Sequence, residues 1–385
     1  MNTLRLKHAS TRIGAAVLYV VLPVGFVLAW GITLAGRGPG RSDFWTFWLA
    51  SRTVLHGGNP YPAIESLPHV ADKWFAPFVY PPVAAFLLAP LAVLPYAVAT
   101  VLYYAANIAA VALALRLLGV RDRRCYGLVF VAPPTLQAAG IGTISIPLLV
   151  LVAAAWRYRD RAARVGLLVG CAVTAKLFLW PVWFWLVRTR RWRAAAVAVV
   201  TSLAAVVVAW AAIGWQGLRE YPTLVARMTG LEGPHGYSIY ALERVFGAGN
   251  GTAARTASLV GVIAVVAVLR VWRDDQALLV ALIAVSFLAT PILWPHYLVL
   301  LFVPVALASP RLSWLWFAPV ALWVDVEAWS HGNALRIVGE LALAAVVVGV
   351  AVHRSLPPGQ RAAVGTTRLR SSECLQPTGA TSSVL

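Results

Sequence analysis

The sequence contains few of the residues and motifs that mark disulfide frameworks, metal sites or nucleotide sites. It has three cysteines in 385 residues. These are Cys125, Cys171 and Cys374, an odd number, and the sequence indicates no disulfide framework. None of the three has a neighbour at metal-ligand spacing. A P-loop and a Gly-x-Gly-x-x-Gly motif are both absent. We therefore expect neither ATP hydrolysis nor a nucleotide cofactor, and no other cofactor is indicated.

Acidic residues are scarce as well. The chain has 14 Asp and Glu residues against 32 Lys and Arg residues, which gives a formal net charge of +18. In a soluble protein such a charge could indicate nucleic-acid binding. Here the Arg residues form short clusters between apolar runs, as the positive-inside rule requires. The partner that we expect for this charge is therefore a lipid bilayer and not a nucleic acid.

Carboxylates at metal-binding spacing are missing from the side of the membrane where the other polar groups concentrate. No Asp-x-Asp motif occurs there, and the nearest approach is Asp325-Val326-Glu327. Two carboxylates at that spacing are common by chance. We expect no obligatory metal.

Long apolar runs dominate what is present. Hydrophobic residues make up 60% of the chain and the mean hydropathy is +0.76. The runs are continuous and do not alternate, so they indicate an all-α, polytopic helical membrane protein and not a β-barrel. With the Arg clusters kept inside, they predict about twelve spans. The predicted spans are 13–35 (a signal anchor), 97–119, 126–140, 143–156, a hairpin over 165–187 that counts twice, 194–214, 252–272, 276–290, 297–309, 312–325 and 335–352.

These spans form one predicted integral-membrane domain, residues 1–353. Two outer segments, 36–96 and 215–251, belong to it, and residues 354–385 are expected to be a disordered cytoplasmic tail. The apolar, proline-rich stretch 81–95 is short, and the charge rule favours an interfacial or re-entrant helix there.

An aspartate among aromatic residues follows the first span in "RSDFWTFWLASRTVLHGGNPYP" (41–62). Because Asp43 stands a few residues after the span, its depth relative to the membrane surface is fixed. A carboxylate in such a partly apolar mouth can act as a general base on a hydroxyl. The alternative is an N-cap, in which Ser42 or Asp43 opens the helix 44–55, with the aromatic residues forming an interfacial belt.

Two further ionisable residues are candidates for binding an anion. Lys176, in "VTAKLFLWP", is the one lysine inside a predicted span, and an intramembrane charge is costly enough to suggest a function. It could meet a lipid phosphate at the outer turn of the 165–187 hairpin, or simply snorkel to the interface. His296, in "ILWPHYLVL", lies at another outer turn and could bind a hydroxyl or a phosphate, or be structural.

The order of four stretches resembles glycosyltransferase family 87. These stretches are "SDFWTFWLASRTVLHGGNPYP", "FVYPPVAAFLLAPLAVLP", "GLLVGCAVTAKLFLWPVWFWLVRTRRWRAA" and "TPILWPHYLVLLFVP". The resemblance covers roughly residues 10–350 and implies a GT-C fold in the bacterial plasma membrane, whose first extracytoplasmic loop carries the active site. Two positions depart from the family pattern. A Gly-Gln-x-Asn stretch corresponds here to "GIGTISIPLL", and a frequent His-His pair is His296-Tyr297.

The resemblance also implies a reaction. A polyprenyl-phosphate donor transfers its sugar, mannose by family default, with inversion to a hydroxyl of a glycolipid or polysaccharide on the outer face. Asp43 matches the family's proposed general base. Lys176 and His296 match family positions, and with Arg52 they are candidates for binding the donor phosphate. The predicted substrate-binding aromatic residues are Trp45, Tyr61, Tyr80 and Trp294.

Two other activities are alternatives to sugar transfer. A transporter or flippase of a lipid-linked sugar needs charges deep in the bundle and usually an internal repeat. Only Lys176 meets the first condition, and no repeat is visible. A membrane acyltransferase would use a histidine such as His296 or His331.

Overall fold

A computed structural model describes residues 13–36, 42–67, 77–324, 330 and 332–355. Within these ranges the regular structure is helical, which confirms the all-α prediction. The Asp325–Glu327 pair, His331 and nearly all of the predicted tail lie outside the described residues.

Sixteen α-helices of the described ranges are numbered here in chain order. The first eight are α1 (Leu22–Gly36), α2 (Asp43–Leu55), α3 (Pro82–Ala92), α4 (Tyr96–Leu117), α5 (Arg123–Val131), α6 (Pro133–Ile141), α7 (Ser145–Arg157) and α8 (Ala162–Ala175). The others are α9 (Trp180–Arg188), α10 (Trp192–Ala212), α11 (Tyr221–Glu232), α12 (Ile239–Val245), α13 (Asn250–Val271), α14 (Asp275–Ala289), α15 (Phe302–Ala308) and α16 (Ala334–Ser355). Short 3₁₀ helices occur at Ile64–Ser66, Leu177–Leu179, Gly233–His235, Pro295–Leu301, Trp314–Phe317 and Val320–Val324, and a π-helical turn, Val17–Val21, precedes α1.

Five described helices are long and apolar enough to cross a membrane unaided. They are Ile13–Leu34, α4, α10, α13 and α16, and at most 39% of the most apolar window of each is buried inside the protein. Their apolar exposed faces are suited to lipid, which confirms a polytopic membrane protein. The expected number of twelve spans is not confirmed: the bent pair α6–α7 would add at most a sixth span, and the shorter apolar helices have 10–17 residues.

The predicted span 126–140 is wrong as a single helix. Two helices, α5 and α6, occupy it and are separated at Ala132, whose backbone is extended (φ −79°, ψ 131°). Pro133 follows directly, and a residue that precedes proline is pushed out of the helical region. A second break follows at Gly142, where α6 and α7 are bent by 119°.

The hairpin predicted over 165–187 is present, and Lys176 lies at its turn. α8 ends at Ala175, Lys176 is extended (φ −152°, ψ 106°), and Leu177–Leu179 leads into α9. Lys176 therefore occupies the one extended position between two helices of the hairpin.

Asp275 ties several helices together at the Arg-rich end of the bundle. Its carboxylate accepts hydrogen bonds from the Trp185 indole (2.6 Å) and from both terminal nitrogens of Arg191 (2.7 and 2.9 Å), and Arg159 lies 3.4 Å away. These contacts join the ends of α7 and α9 and the start of α10 to the start of α14. A two-pronged Arg–carboxylate pair fixes direction as well as distance. The Lys176 turn lies at the opposite ends of α8 and α9.

Candidate active site

Ser42 caps the helix that carries Asp43. The side-chain oxygen of Ser42 accepts a hydrogen bond from the Trp45 backbone N–H at 3.1 Å, and it is hydrogen-bonded to the Tyr96 hydroxyl at 3.0 Å. The cap alternative for this stretch is thus realised by Ser42. Asp43 is the first residue of α2, and its half-buried carboxylate is not the group that caps the helix.

The break between α6 and α7 is packed against the start of α2. Gly142 has φ +70°, and a Cβ there would lie 2.5 Å from the Cβ of Phe44. The Phe44 ring stacks on Tyr103 with centroids 4.6 Å apart, and the Tyr103 hydroxyl donates to the Thr143 carbonyl at 2.9 Å. The residue beside Asp43 is therefore held between α4 and the α6–α7 break.

Lys176 is buried and surrounded by aromatic rings. Its Nζ lies 3.4 Å from the centre of the Tyr297 ring and 5.6 Å from that of Tyr80. No residue in the described part of the chain accepts a hydrogen bond from this Nζ. Its charge interacts electrostatically with Asp43 and with His296. The structure thus brings together the predicted base and two of the predicted phosphate ligands.

His296 and its neighbours lie on the 3₁₀ helix that Pro295 opens. His296 and Tyr297 are both buried, and their rings meet edge to face at 4.8 Å. The Tyr297 N–H donates to the Trp294 carbonyl at 2.9 Å, and Trp294 is half-buried. A neutral imidazole can accept or donate a hydrogen bond at such a site.

Tyr61 and Tyr80 form an aromatic layer under the start of α3. The Tyr80 ring is 4.7 Å from Phe47, and its carbonyl accepts a hydrogen bond from the Tyr61 hydroxyl at 2.9 Å. Tyr61 is buried and stacks on Trp210 at 5.4 Å. The Tyr80 ring lies next to Lys176, whereas Tyr61 is connected to the site through its hydrogen bond to Tyr80. Substrate contact by either residue stays a prediction.

Two predicted site residues on α2 are not joined to this cluster. Arg52 is exposed and lies over the Trp48 ring at 4.9 Å. It stands nine positions after Asp43, which is roughly 13 Å along a helix that rises 1.5 Å per residue. Trp45 packs on Trp48 (5.3 Å) and Tyr96 (4.9 Å). The geometry gives no support to Arg52 as a phosphate ligand, and its role stays a prediction.

Sequence reasoning missed Glu232. This residue ends α11, and the Tyr237 N–H donates to the Leu293 carbonyl at 2.8 Å, which docks the following loop beside the His296 helix. Burial, and secondarily the charge of Asp43, raises the pKa of Glu232 to about 7. A carboxyl group with such a pKa is typical of a functional site. Only its position in 215–251, one of the two predicted outer segments, could have drawn attention to it.

Two further observations bear on ligands. An apolar crevice of about 270 Å³ opens between α8, α9 and α10, where Val173, Trp180 and Trp183 line it beside the Lys176 turn. Within the described residues, no group of three or more His, Cys, Asp or Glu side chains could hold a metal ion. The assembled groups are a carboxylate, Asp43, and two buried basic side chains, Lys176 and His296.

Comparisons with known proteins agree on one family. The sequence model of glycosyltransferase family 87 matches residues 78–295, a range that includes Tyr80, Lys176, Glu232 and Trp294 and ends just before His296. No solved structure matches the chain.

Three curated relatives are similar over most of their length. A polyprenol-phosphate-mannose-dependent alpha-(1-2)-phosphatidylinositol pentamannoside mannosyltransferase of Mycobacterium tuberculosis is 29% identical, over 87% of this chain and 78% of the relative. The enzyme of the same name from Mycolicibacterium smegmatis is 28% identical over 71% and 67%. A polyprenol-phosphate-mannose-dependent alpha-(1-2)-phosphatidylinositol mannoside mannosyltransferase of M. smegmatis is 28% identical over 81% and 76%. The chain therefore belongs to glycosyltransferase family 87 and is a bacterial membrane glycosyltransferase.

Proposed function

We propose that the protein transfers a sugar, mannose in the first place, from a polyprenyl-phosphate donor to a hydroxyl of a cell-envelope glycolipid or polysaccharide. The reaction is inverting and takes place on the extracytoplasmic face, with Asp43 as the general base. The observation that carries the proposal is that buried Lys176 lies close enough to Asp43 for their charges to interact.

Each step of the transfer has a candidate group. Asp43 accepts the proton of the acceptor hydroxyl as its oxygen attacks the anomeric carbon. The bond between that carbon and the phosphate oxygen breaks on the opposite side of the ring, and its electron pair stays on the phosphate. The ammonium of Lys176 and the imidazole of His296 stabilise the departing phosphate in a site that excludes water. A single carboxylate suffices because the leaving group needs no protonation.

The donor's two chemical parts have separate places. The phosphate binds at Lys176 and His296, and the apolar crevice beside the Lys176 turn is a candidate location for the isoprenoid chain. Tyr80 and Trp294 are the predicted aromatic contacts of the sugar that lie closest to these groups. The three relatives are named for a polyprenol-phosphate-mannose donor and phosphatidylinositol mannoside acceptors, which supports mannose and a glycolipid acceptor here.

The family membership favours sugar transfer over the two alternatives, a transporter or flippase and an acyltransferase. A flippase would move the donor lipid without breaking a glycosidic bond, and an acyltransferase would incorporate acyl groups. Neither explains a carboxylate facing a cationic pocket as directly as base-assisted sugar transfer does.

Membranes that contain wild type or the Asp43→Asn variant provide the test. We expect wild type to move radiolabelled mannose from polyprenyl-phosphate-mannose to endogenous lipid. The rate of transfer by Asp43→Asn should be about 10²- to 10⁴-fold lower, which is the usual contribution of a general base. The matched control is Glu220→Gln, which changes an exposed carboxylate of the second outer segment and should keep wild-type activity.

The other outcomes are equally informative. If wild type is inactive with the mannose donor, the same assay with polyprenyl-phosphate-arabinose decides whether the sugar or the activity was wrongly assigned. Equal transfer by wild type and Asp43→Asn would show that Asp43 is only a helix residue and that the base assignment is wrong.

A further inference from the structure

Aromatic faces surround the ammonium of Lys176, and none of the described residues accepts a hydrogen bond from it. Its Nζ lies 3.4 Å from the centre of the Tyr297 ring, and the rings of Tyr80 and Phe178 are 5.6 and 5.8 Å away. Lys176 is 6% exposed, and in the described part of the chain no acceptor binds its Nζ. The Tyr297 ring is therefore the closest support of this cation.

An aromatic face supports a cation differently from a carboxylate. The negative face of the ring attracts the ammonium electrostatically, and the attraction is strongest where water is excluded. A directly bonded carboxylate would use one of the three N–H groups and cancel the charge. A ring does neither, so the ammonium stays available to an anion that enters the site.

The Tyr297 ring is itself held firmly. Its N–H is bonded to the Trp294 carbonyl at 2.9 Å, and its ring lies 5.0 Å from Phe178 and 4.8 Å from His296. Phe178 belongs to the same turn as Lys176, so the ring and the lysine backbone are fixed relative to each other. Tyr297 as a whole is 7% exposed, so its ring is enclosed by neighbouring side chains.

We propose that Tyr297 is a positioning residue for Lys176, whose ring face holds the ammonium in place and leaves its N–H groups free for a phosphate oxygen of the donor. The inference rests on the proposed function, since it takes Lys176 as the phosphate ligand. It adds that the site holds its cation by an uncharged group. Such a site should bind polyprenyl phosphate, the more highly charged product, at least as well as the phosphodiester donor.

Four variants test the role of the ring. They are Tyr297→Phe, Tyr297→Leu, Lys176→Gln and the double variant Lys176→Gln/Tyr297→Leu. The readouts are the KM for the donor, the KM for the acceptor, and the inhibition constant of polyprenyl phosphate. Tyr297→Phe keeps the ring and should stay near wild type. Tyr297→Leu removes it and should raise the donor KM and the inhibition constant about tenfold, with an unchanged acceptor KM.

The double variant separates positioning from simple packing. If Tyr297 acts through Lys176, Tyr297→Leu should change the donor KM little further when Lys176 is already Gln. Equal effects of Tyr297→Leu in both backgrounds, or an unchanged donor KM in the single variant, would overturn the proposal. Should Tyr297→Leu not accumulate in membranes, Tyr297→Met removes the ring with a more adaptable side chain and carries the same expectations.

The design also tells failure of this inference from failure of the proposed function. A raised donor KM in Lys176→Gln with a wild-type value in Tyr297→Leu overturns the role of Tyr297 alone. An unchanged donor KM in Lys176→Gln shows that Lys176 does not bind the donor phosphate, and the role of Tyr297 falls with it.

Discussion

Asp43 and Ser42 divide two tasks that a single aspartate often performs. A carboxylate at the start of a helix usually satisfies a free backbone N–H. Ser42 does so here, and its oxygen is also bonded to Tyr96. The half-buried Asp43 carboxylate can therefore face the cationic pocket. Which of two adjacent residues caps a helix depends on the backbone angles at each, so the sequence left both open.

Glu232 gives the site a pH dependence that can be measured. Burial, and then the charge of Asp43, raises the pKa of Glu232 from 4.5 to about 7 in the folded protein. The folded state thus holds this proton more tightly than the unfolded state does. The stability associated with Glu232 is full below about pH 4.5 and is lost as the pH rises through about 7.

Glu232→Gln should remove the loss of stability that wild type shows as the pH rises. We expect the variant to melt at a higher temperature than wild type at pH 8 and to differ little from it at pH 5. Glu220→Gln, which changes an exposed carboxylate, should track wild type at both values. The measurement is thermal aggregation of detergent-solubilised protein across this pH range. A difference between Glu232→Gln and wild type that is the same at pH 5 and pH 8 would contradict the raised pKa.

At the level of elements, the break between α6 and α7 positions the start of α2, which carries Asp43. The continuous apolar pattern over 126–140 and 143–156 predicts two spans, yet the chain forms three short helices with extended or left-handed residues between them. Pro133-Pro134 explains the first break. The second, at Gly142, brings backbone against the start of α2, a contact that periodicity does not encode.

Gly142→Ala should disturb Asp43 through this contact. The new Cβ would lie 2.5 Å from the Cβ of Phe44, at a residue with φ +70°. We expect a loss of about 1–3 kcal/mol of stability from strain and overpacking, and a fall in kcat because α2 must shift. Activity and thermal stability of the same membranes provide the measurement.

Gly57→Ala is the matched control for Gly142→Ala. Gly57 has φ +72° but nothing within 4 Å of its Cβ position. This variant should lose some stability from backbone strain and keep wild-type kcat. If both variants have the same kcat, the contact between Gly142 and Phe44 does not position Asp43.

At the scale of the whole molecule, two clusters of ionisable side chains lie at opposite ends of the α8–α9 hairpin. The Arg-rich end carries the Asp275 network, and the other end carries Asp43, Lys176 and His296. The positive-inside rule predicts that the first of these ends faces the cytoplasm. The proposed site would then face outward, as transfer from a lipid-linked donor to the cell envelope requires.

Single cysteines can test this orientation. In a protein whose three native cysteines are replaced by Ser, Glu220→Cys and Asp160→Cys place one thiol at an exposed position of each end. A membrane-impermeant maleimide should label position 220 in intact cells and position 160 only after permeabilisation. The reverse pattern would put the site on the cytoplasmic side and contradict the proposed topology.

The sequence by itself determined the membrane environment and the all-helical class, because apolar run length and charge clustering are local properties. The family resemblance rested on the order of four short stretches, which the sequence also contains in full. The sequence also predicted the Lys176 turn, since Arg clusters at both ends of 165–187 require a hairpin whose middle lies at the other side of the membrane. The tertiary structure decided that Lys176 meets the Tyr297 ring, that Glu232 lies within the electrostatic influence of Asp43 and that Arg52 stands apart. Those relations arise from packing between segments distant in the chain, where contact depends on how helices break and dock and not on any local pattern.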